Sequence, residues 1–197
     1  MITDLHRRRF AAVLEVVRES GAGSVLDLGC GDGELTLALA REPGIERLVG
    51  IDLDAPALQA LEAKLAELGE TSAEVSLRHA SYLDPDPSLR GFAAVLMVET
   101  IEHVDPDRLS LVERAVFATI AAPLVVVTTP NADFNPLLGV PPHRLRHPDH
   151  RFEWGRARFA RWAEGVACRH GYAVRLDDLG GCVPGCGGPS QMAVFTR

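Results

Sequence analysis

No apolar run in this chain approaches the roughly 20 residues that a membrane-spanning helix requires. A helical membrane protein is therefore excluded. The opening Met1–Phe10 is polar, carries Arg7, Arg8 and Arg9, and has no apolar segment of signal-peptide type behind it. The expected location is the cytoplasm. Cysteine is scarce: Cys30, Cys168, Cys182 and Cys186 are the whole complement. Cys182 and Cys186 share Gly-Gly-Cys-Val-Pro-Gly-Cys-Gly-Gly, but no second close pair completes a zinc or disulfide framework. That stretch reads as a Gly-rich surface loop. Positive charge is not in excess, because the net charge is −7, so nothing in the overall balance announces nucleic-acid binding. Repeats, low-complexity tracts and linkers are also missing. What remains is 197 residues, 47% hydrophobic and 24% charged, enough for one globular domain, 1–197, with a sizeable core.

The charge is nevertheless unevenly placed. Between His143 and Arg161 stand Arg144, Arg146, Arg151, Arg156, Arg158 and Arg161 against Asp149 and Glu153. This stretch is locally basic on an acidic body. It is either a solvated face or an edge that steers a phosphate backbone.

Apolar runs alternate with amphipathic segments from end to end. Phe10–Glu19 reads as an opening helix, Ser24–Leu28 as a short buried strand, Glu34–Arg41 as a helix and Arg47–Ile51 as a strand. Ala55–Leu68 has Leu58, Leu61, Leu65 and Leu68 at helical spacing. Glu74–His79 and Phe92–Val98 are further strands, the latter apolar throughout and so buried on both faces. Asp105-Pro106 starts a helix to about Ile120, with Asp as N-cap and Pro at the first helical position. Pro123–Thr128 is a strand, Thr129–Phe152 irregular, Gly155–Arg169 a helix, and Tyr172–Leu179 and Gln191–Thr196 two final strands. Strands alternating with helices imply an α/β fold with a mostly parallel sheet. The last two strands, with only a Gly-rich loop between them, predict a closing antiparallel hairpin.

Asp27-Leu28-Gly29-Cys30-Gly31-Asp32-Gly33 follows the first strand and precedes a helix. Glycines there permit a tight turn and a close approach of backbone to ligand. Asp52 then ends the second strand, where a carboxylate can accept both hydroxyls of an adenosine ribose. The spacing is not that of a dinucleotide fingerprint, and Asp27 suits a cationic ligand better than a pyrophosphate. Asp-x-Gly-x-Gly-x-Gly with a downstream acid resembles motifs I and II of the S-adenosylmethionine-dependent methyltransferases. That resemblance implies a Rossmann-like, seven-stranded sheet with a C-terminal antiparallel hairpin. Cys30 reads as a small residue in the turn rather than a nucleophile.

Glu99, Glu102 and His103 lie together where the fourth strand ends. If the chain turns there, three side chains can face one point. Two carboxylates repel unless a cation relieves them, and carboxylate oxygen with imidazole nitrogen suits manganese, magnesium or zinc. By itself the cluster is equally a solvated helix start.

Val98-Glu99-Thr100-Ile101-Glu102-His103, Thr128-Thr129-Pro130-Asn131, His147-Pro148-Asp149-His150-Arg151-Phe152-Glu153-Trp154 and Gln191-Met192-Ala193-Val194-Phe195 together resemble the catalytic domain of the HEN family. These are RNA 3′-terminal nucleotide 2′-O-methyltransferases that act on small silencing RNAs or, in bacteria, in RNA repair beside a polynucleotide kinase-phosphatase. The resemblance implies metal ligands, and with them the catalytic centre, at Glu99, Glu102, His103 and His150, with His147 and His143 nearby. It implies S-adenosylmethionine at Asp27, Gly29, Gly31 and Asp52, with Ser81 near the adenine, and manganese rather than magnesium. It also implies an RNA 3′ end with free 2′- and 3′-hydroxyls as substrate. Bacterial members often carry a further N-terminal half that engages the repair partner. This chain starts almost at the methyltransferase fold, as a standalone form or an excised domain.

In that setting four protein ligands leave two octahedral positions for the two hydroxyls, and the metal activates the 2′ oxygen. His103 or His150 is available to take its proton. The basic stretch from Arg144 to Arg161 would contact phosphates, and Phe152 and Trp154 would stack on the terminal base or pack in the core. Two other readings compete: a metal-dependent O-methyltransferase of a small vicinal diol such as a catechol, and a non-catalytic cofactor-binding subunit.

Overall fold

The computed structural model describes residues 4–84 and 86–197. Of the polar opening Met1–Phe10, the first three residues lie outside these. The rest belongs to helix α1, Asp4–Ser20. This helix starts earlier than its apolar stripe suggested because Asp4 supports the first turn, pairing with Arg8 at 2.7 Å. The chain then runs β1 (Ser24–Leu28), α2 (Glu34–Leu39), β2 (Arg47–Asp52), α3 (Ala55–Leu68), β3 (Glu74–His79) and β4 (Ala94–Val98). It continues through α4 (Leu109–Glu113), β5 (Leu124–Pro130), α5 (Arg156–His170), β6 (Ala173–Leu179) and β7 (Ser190–Thr196).

The strands form one seven-stranded sheet in the order β3-β2-β1-β4-β5-β7-β6. All neighbours are parallel except β5–β7 and β6–β7, the expected closing hairpin. β7 inserts between β5 and β6. The order reverses between β1 and β4, so a crevice opens at the carboxyl ends of these strands.

Burial follows the apolar runs. Ala94, Val95, Leu96 and Met97 of β4 are all 0% exposed, because helices cover both faces of the sheet. Each large side chain so buried contributes about 1.5–3 kcal/mol. α3 begins as its sequence dictates: the Asp54 side chain accepts from the Ala57 amide at 3.1 Å and Pro56 lies in the first turn.

The helix expected over 105–120 differs from expectation. Pro106–Arg108 form a 3-10 turn, Leu109–Glu113 an α-helix, and Arg114–Ile120 wider π-type turns. It ends at Ala121 in the left-handed region (φ 56°). Asp105 makes no side-chain cap and instead faces Arg151 at 3.6 Å. The irregular stretch also starts later than expected. Thr129 and Pro130 complete β5 by pairing with Gln191 and Ser190, and a 3-10 segment covers Ala132–Leu138.

Candidate active site at the carboxyl edge of the sheet

β1 ends in a turn built on glycine. Gly29, Gly31 and Gly33 have φ of 77°, 53° and 84°, conformations L side chains rarely adopt. A Cβ at Gly29 would lie 2.5 Å from Thr100 Cγ2, and one at Gly33 2.0 Å from Leu61 Cδ1. Gly31 differs: a Cβ there would meet nothing within 4 Å, because this glycine faces the crevice. Its amide donates to Asp52 Oδ2 at 2.7 Å, while Asp52 Oδ1 accepts from the Asp54 amide at 2.9 Å. Asp52 is thus fixed beside the turn.

Asp27 lies beneath this turn rather than in the crevice. It is 2% exposed and accepts from Thr36 Oγ1 at 2.6 Å. Burial pushes its carboxyl up to about 6 against the Thr36 hydrogen bond, and Asp52 adds to the rise. The Cys30 thiol is also pushed up, by burial and then by Asp27 and Asp52, which leaves no thiolate nucleophile.

A crevice of about 500 Å³ runs from the glycine turn to Glu99 and His103, with Glu102 and His150 outside its lining. Gly29, Gly31, Asp52 and Ser81 line it together with Glu99 and His103. Tyr82, Arg108 and Arg151 also line it, and sequence reasoning missed Tyr82 and Arg108. Their only signal is position: Tyr82 follows Ser81, and Arg108 follows Asp105-Pro106. The Tyr82 phenol is pushed up by burial, then by Glu102 and Asp52.

At the other half, Glu99 has φ 53° although it is not glycine. Such strain concentrates at functional sites. Its Oε1 accepts from Thr128 Oγ1 at 2.9 Å, and its Oε2 pairs with Arg9 Nη2 at 3.0 Å. Glu102 is 0% exposed. Its Oε2 accepts from Thr129 Oγ1 at 3.0 Å, while its buried Oε1 has no hydrogen-bond partner among the described residues. Burial, with Glu99 adjacent, holds the Glu102 carboxyl well above the usual range.

His150 arrives from the irregular segment, as the sequence pairing required. The ring centroids of His103 and His150 are 5.0 Å apart. His147 is next to both, 6.2 Å from His103 and 5.6 Å from His150. Burial, then His150 and His147, lower the His103 pKa. Donor atoms of Glu102, His103 and His150 lie within 4.8 Å of one another. These three converge, whereas Glu99 stands outside the group, turned to Arg9. An orphaned buried carboxylate oxygen beside two imidazoles is a donor set that fits a divalent cation.

Glu153, which sequence reasoning left unassigned, organises the histidine side. Its Oε1 accepts from His150 Nδ1 at 2.6 Å and from the Arg146 amide at 2.7 Å, and its Oε2 from Asn135 Nδ2 at 2.6 Å. Burial works to raise its pKa, but the bonds from His150, Asn135 and the Arg146 amide together hold it lower. With Nδ1 committed, His150 presents Nε2. The signal lay in its spacing, an acid three residues after His150.

One alternative left open is decided, and one expectation is corrected. Phe152 and Trp154 are 7% and 4% exposed and stack on each other at 4.3 Å, so they pack in the core rather than stacking on a base. The basic stretch is not one phosphate-facing strip. Arg146 turns inward to Asn135 Oδ1 and Pro189 O, each at 2.6 Å, and to Asn131 O. Arg156 pairs with Asp178 at 3.4 Å, and Arg158 lies 5.1 Å over Trp154. Arg144, Arg151, Arg156, Arg158 and Arg161 all remain exposed. The Cys182–Cys186 loop stays a loop: Cys182 is exposed and Cys186 half-buried, both as free thiols. The cation-type cluster found among the described residues contains no cysteine.

Comparison with known proteins gives the family and the fold. Residues 25–120 match a family model described as a methyltransferase domain. The small RNA 2′-O-methyltransferase of Mus musculus is 36% identical over 203 residues, covering 98% of this chain and 51% of that protein. The chain spans about half the length of the curated vertebrate relatives it matches. The crystal structure of the methyltransferase domain of bacterial CtHen1 superimposes with a TM-score of 0.85 at 31% identity, covering 98% of this chain and all of that one (100%). The small RNA methyltransferase HEN1 gives a TM-score of 0.89 at 31% identity, over 98% of this chain and 26% of that one.

Proposed function

This chain belongs to the HEN1 family of methyltransferases, and we propose that it methylates the 2′-hydroxyl of the 3′-terminal ribose of RNA, using S-adenosylmethionine. One observation carries the reading. A single crevice is lined both by the glycine turn with Asp52 and by Glu99 and His103. A methyl donor at the glycine turn and an acceptor beside Glu99 and His103 would therefore share one crevice.

In this reading the backbone of Gly29 and Gly31 approaches the cofactor, and Asp52, held by the Gly31 and Asp54 amides, accepts its ribose hydroxyls. Ser81 and Tyr82 flank the adenine. Asp27 acts through the turn, because it lies below it.

Glu102, His103 and His150, with Glu99 beside them, would hold the divalent cation. Their mixed oxygen and nitrogen donors favour manganese over magnesium. When bound, such a cation lowers the pKa of a ribose hydroxyl and fixes its oxygen. Glu153 keeps the His150 ring oriented. His103, its pKa lowered by burial and the adjacent histidines, would offer its one basic lone pair to the cation. Exposed Arg108 and Arg151 at the crevice rim carry charge suited to the terminal phosphates. A methylated 2′ oxygen protects a 3′ end, the role we assign in small-RNA metabolism or in RNA repair beside a kinase-phosphatase partner.

The test is labelled methyl transfer from S-adenosylmethionine to a short 3′-hydroxyl RNA, with and without manganese, against a catechol panel. Manganese-dependent label in RNA is expected. Label in the catechols alone would overturn the proposal in favour of the small-diol reading, and no transfer at all would leave only a binding subunit.

A further inference from the structure

Arg9 comes from α1, remote in sequence from the strand ends, yet its side chain is 6% exposed against Glu99. Its Nη2 reaches Glu99 Oε2 at 3.0 Å and donates to Ser190 Oγ at 3.1 Å, while its buried Nε has no hydrogen-bond partner among the described residues. Thr128 Oγ1 holds the other Glu99 oxygen at 2.9 Å. Both Glu99 oxygens are engaged, and Glu99 is not among the three residues whose donor atoms group within 4.8 Å.

We propose that Arg9 is a positioning residue of the cation site, an internal counter-ion that competes with the divalent cation for the Glu99 carboxylate. The proposal rests on the reading of Glu102, His103 and His150 as a divalent-cation site. A buried guanidinium is tolerated only where a carboxylate balances it, and Glu99 is the carboxylate at hand. A cation entering beside Glu102 meets this guanidinium as a like charge across one carboxylate, in surroundings where water screens poorly. Two effects oppose each other when Arg9 is removed. Losing a partner that orients a ligand weakens metal binding about 10–100-fold. Losing a competing positive charge, and freeing a carboxylate oxygen, strengthens it. Here the second effect wins, because Arg9 orients Glu99 away from the donor group rather than into it.

The experiment is manganese binding to the protein alone, by calorimetry and by the spin-resonance signal of free manganese, in wild type, Arg9→Met, Arg9→Gln and Arg9→Lys. Arg9→Met and Arg9→Gln are expected to bind about tenfold or more tightly and to show a larger manganese-induced rise in Tm. Arg9→Lys, which keeps the charge, stays within about threefold of wild type. Unchanged or weaker affinity in the two neutral variants overturns the proposal. Absence of manganese binding in wild type overturns the cation reading itself. Wild-type crystals with manganese give a measurement independent of any variant's folding. Glu99 Oε2 is expected to leave hydrogen-bond range of Arg9, and an intact pair with the metal bound refutes the competition.

Discussion

The Nδ1 atom of His150 lies 2.6 Å from Oε1 of Glu153, three residues further along an irregular segment. No helix fixes that pair; the buried carboxylate does, by collecting donors from Asn135, the Arg146 amide and His150. Glu153 therefore fixes the ring of a loop histidine. Glu153→Gln removes the charge and one accepting oxygen. Manganese affinity is expected to fall about 10–100-fold while cofactor affinity holds, both measured by calorimetry. Equal losses in the two would mean that Glu153 supports the fold only.

Glu102→Ala and His150→Ala remove proposed ligands. Each should drop methyl transfer by more than the roughly 100-fold upper range of an outer-shell loss, with S-adenosylmethionine still bound. Near-full turnover in either variant contradicts the metal-site assignment.

The substrate end offers an independent check. RNA ending in a 2′-deoxyribose lacks the nucleophile, and a 3′-phosphate removes the second hydroxyl. Neither is expected to accept label in the transfer assay. Efficient methylation of a 3′-phosphate end would eliminate the two-hydroxyl model.

Asp27 makes stability depend on pH. Its folded pKa is raised, from 3.8 to about 6, chiefly by burial. The unfolded state therefore loses its proton at lower pH than the folded state does. The stabilisation is complete below about 3.8 and is lost as pH rises through about 6, a span of roughly 3 kcal/mol. Asp27→Asn keeps an acceptor for Thr36 without the buried charge. It should raise Tm relative to wild type at pH 7.5 and lose that advantage near pH 4, read by thermal unfolding at both values.

Gly33→Ala tests the turn. Its φ is 84° and a Cβ would lie 2.0 Å from Leu61 Cδ1. A destabilisation of about 2–4 kcal/mol is expected from denaturant titration. A loss under 0.5 kcal/mol would show that Leu61 can yield.

Much of the scaffold was legible in the sequence for simple reasons. The apolar runs Ala94–Val98 of β4 and 124–127 of β5 are continuous because helices cover both sheet faces, so period and length alone locate them. The helix after Asp105-Pro106 was less legible. Its start signals were right in type, but tertiary packing drew Asp105 towards Arg151 and wound Arg114–Ile120 more loosely. The basic segment was the least legible, because a count of arginines carries no direction. Arg146 points into a buried network and Arg158 onto an indole, a difference of packing that composition does not hold.

By itself the sequence determined the alternation of strands and helices, the glycine turn with its downstream acid, and the types of donor at the strand ends. Those follow from local chemistry: side-chain period, backbone freedom and ligand preference. Only the tertiary structure decided which donors meet. The crossover that places β4 beside β1 and β5 beside β4, and the β7 insertion whose Gln191 holds the Trp154 carbonyl of the segment after His150, bring Glu102, His103 and His150 together. The docking of α1 brings Arg9 to Glu99. Convergence across such distances along the chain depends on how the whole sheet packs, and no local pattern encodes it.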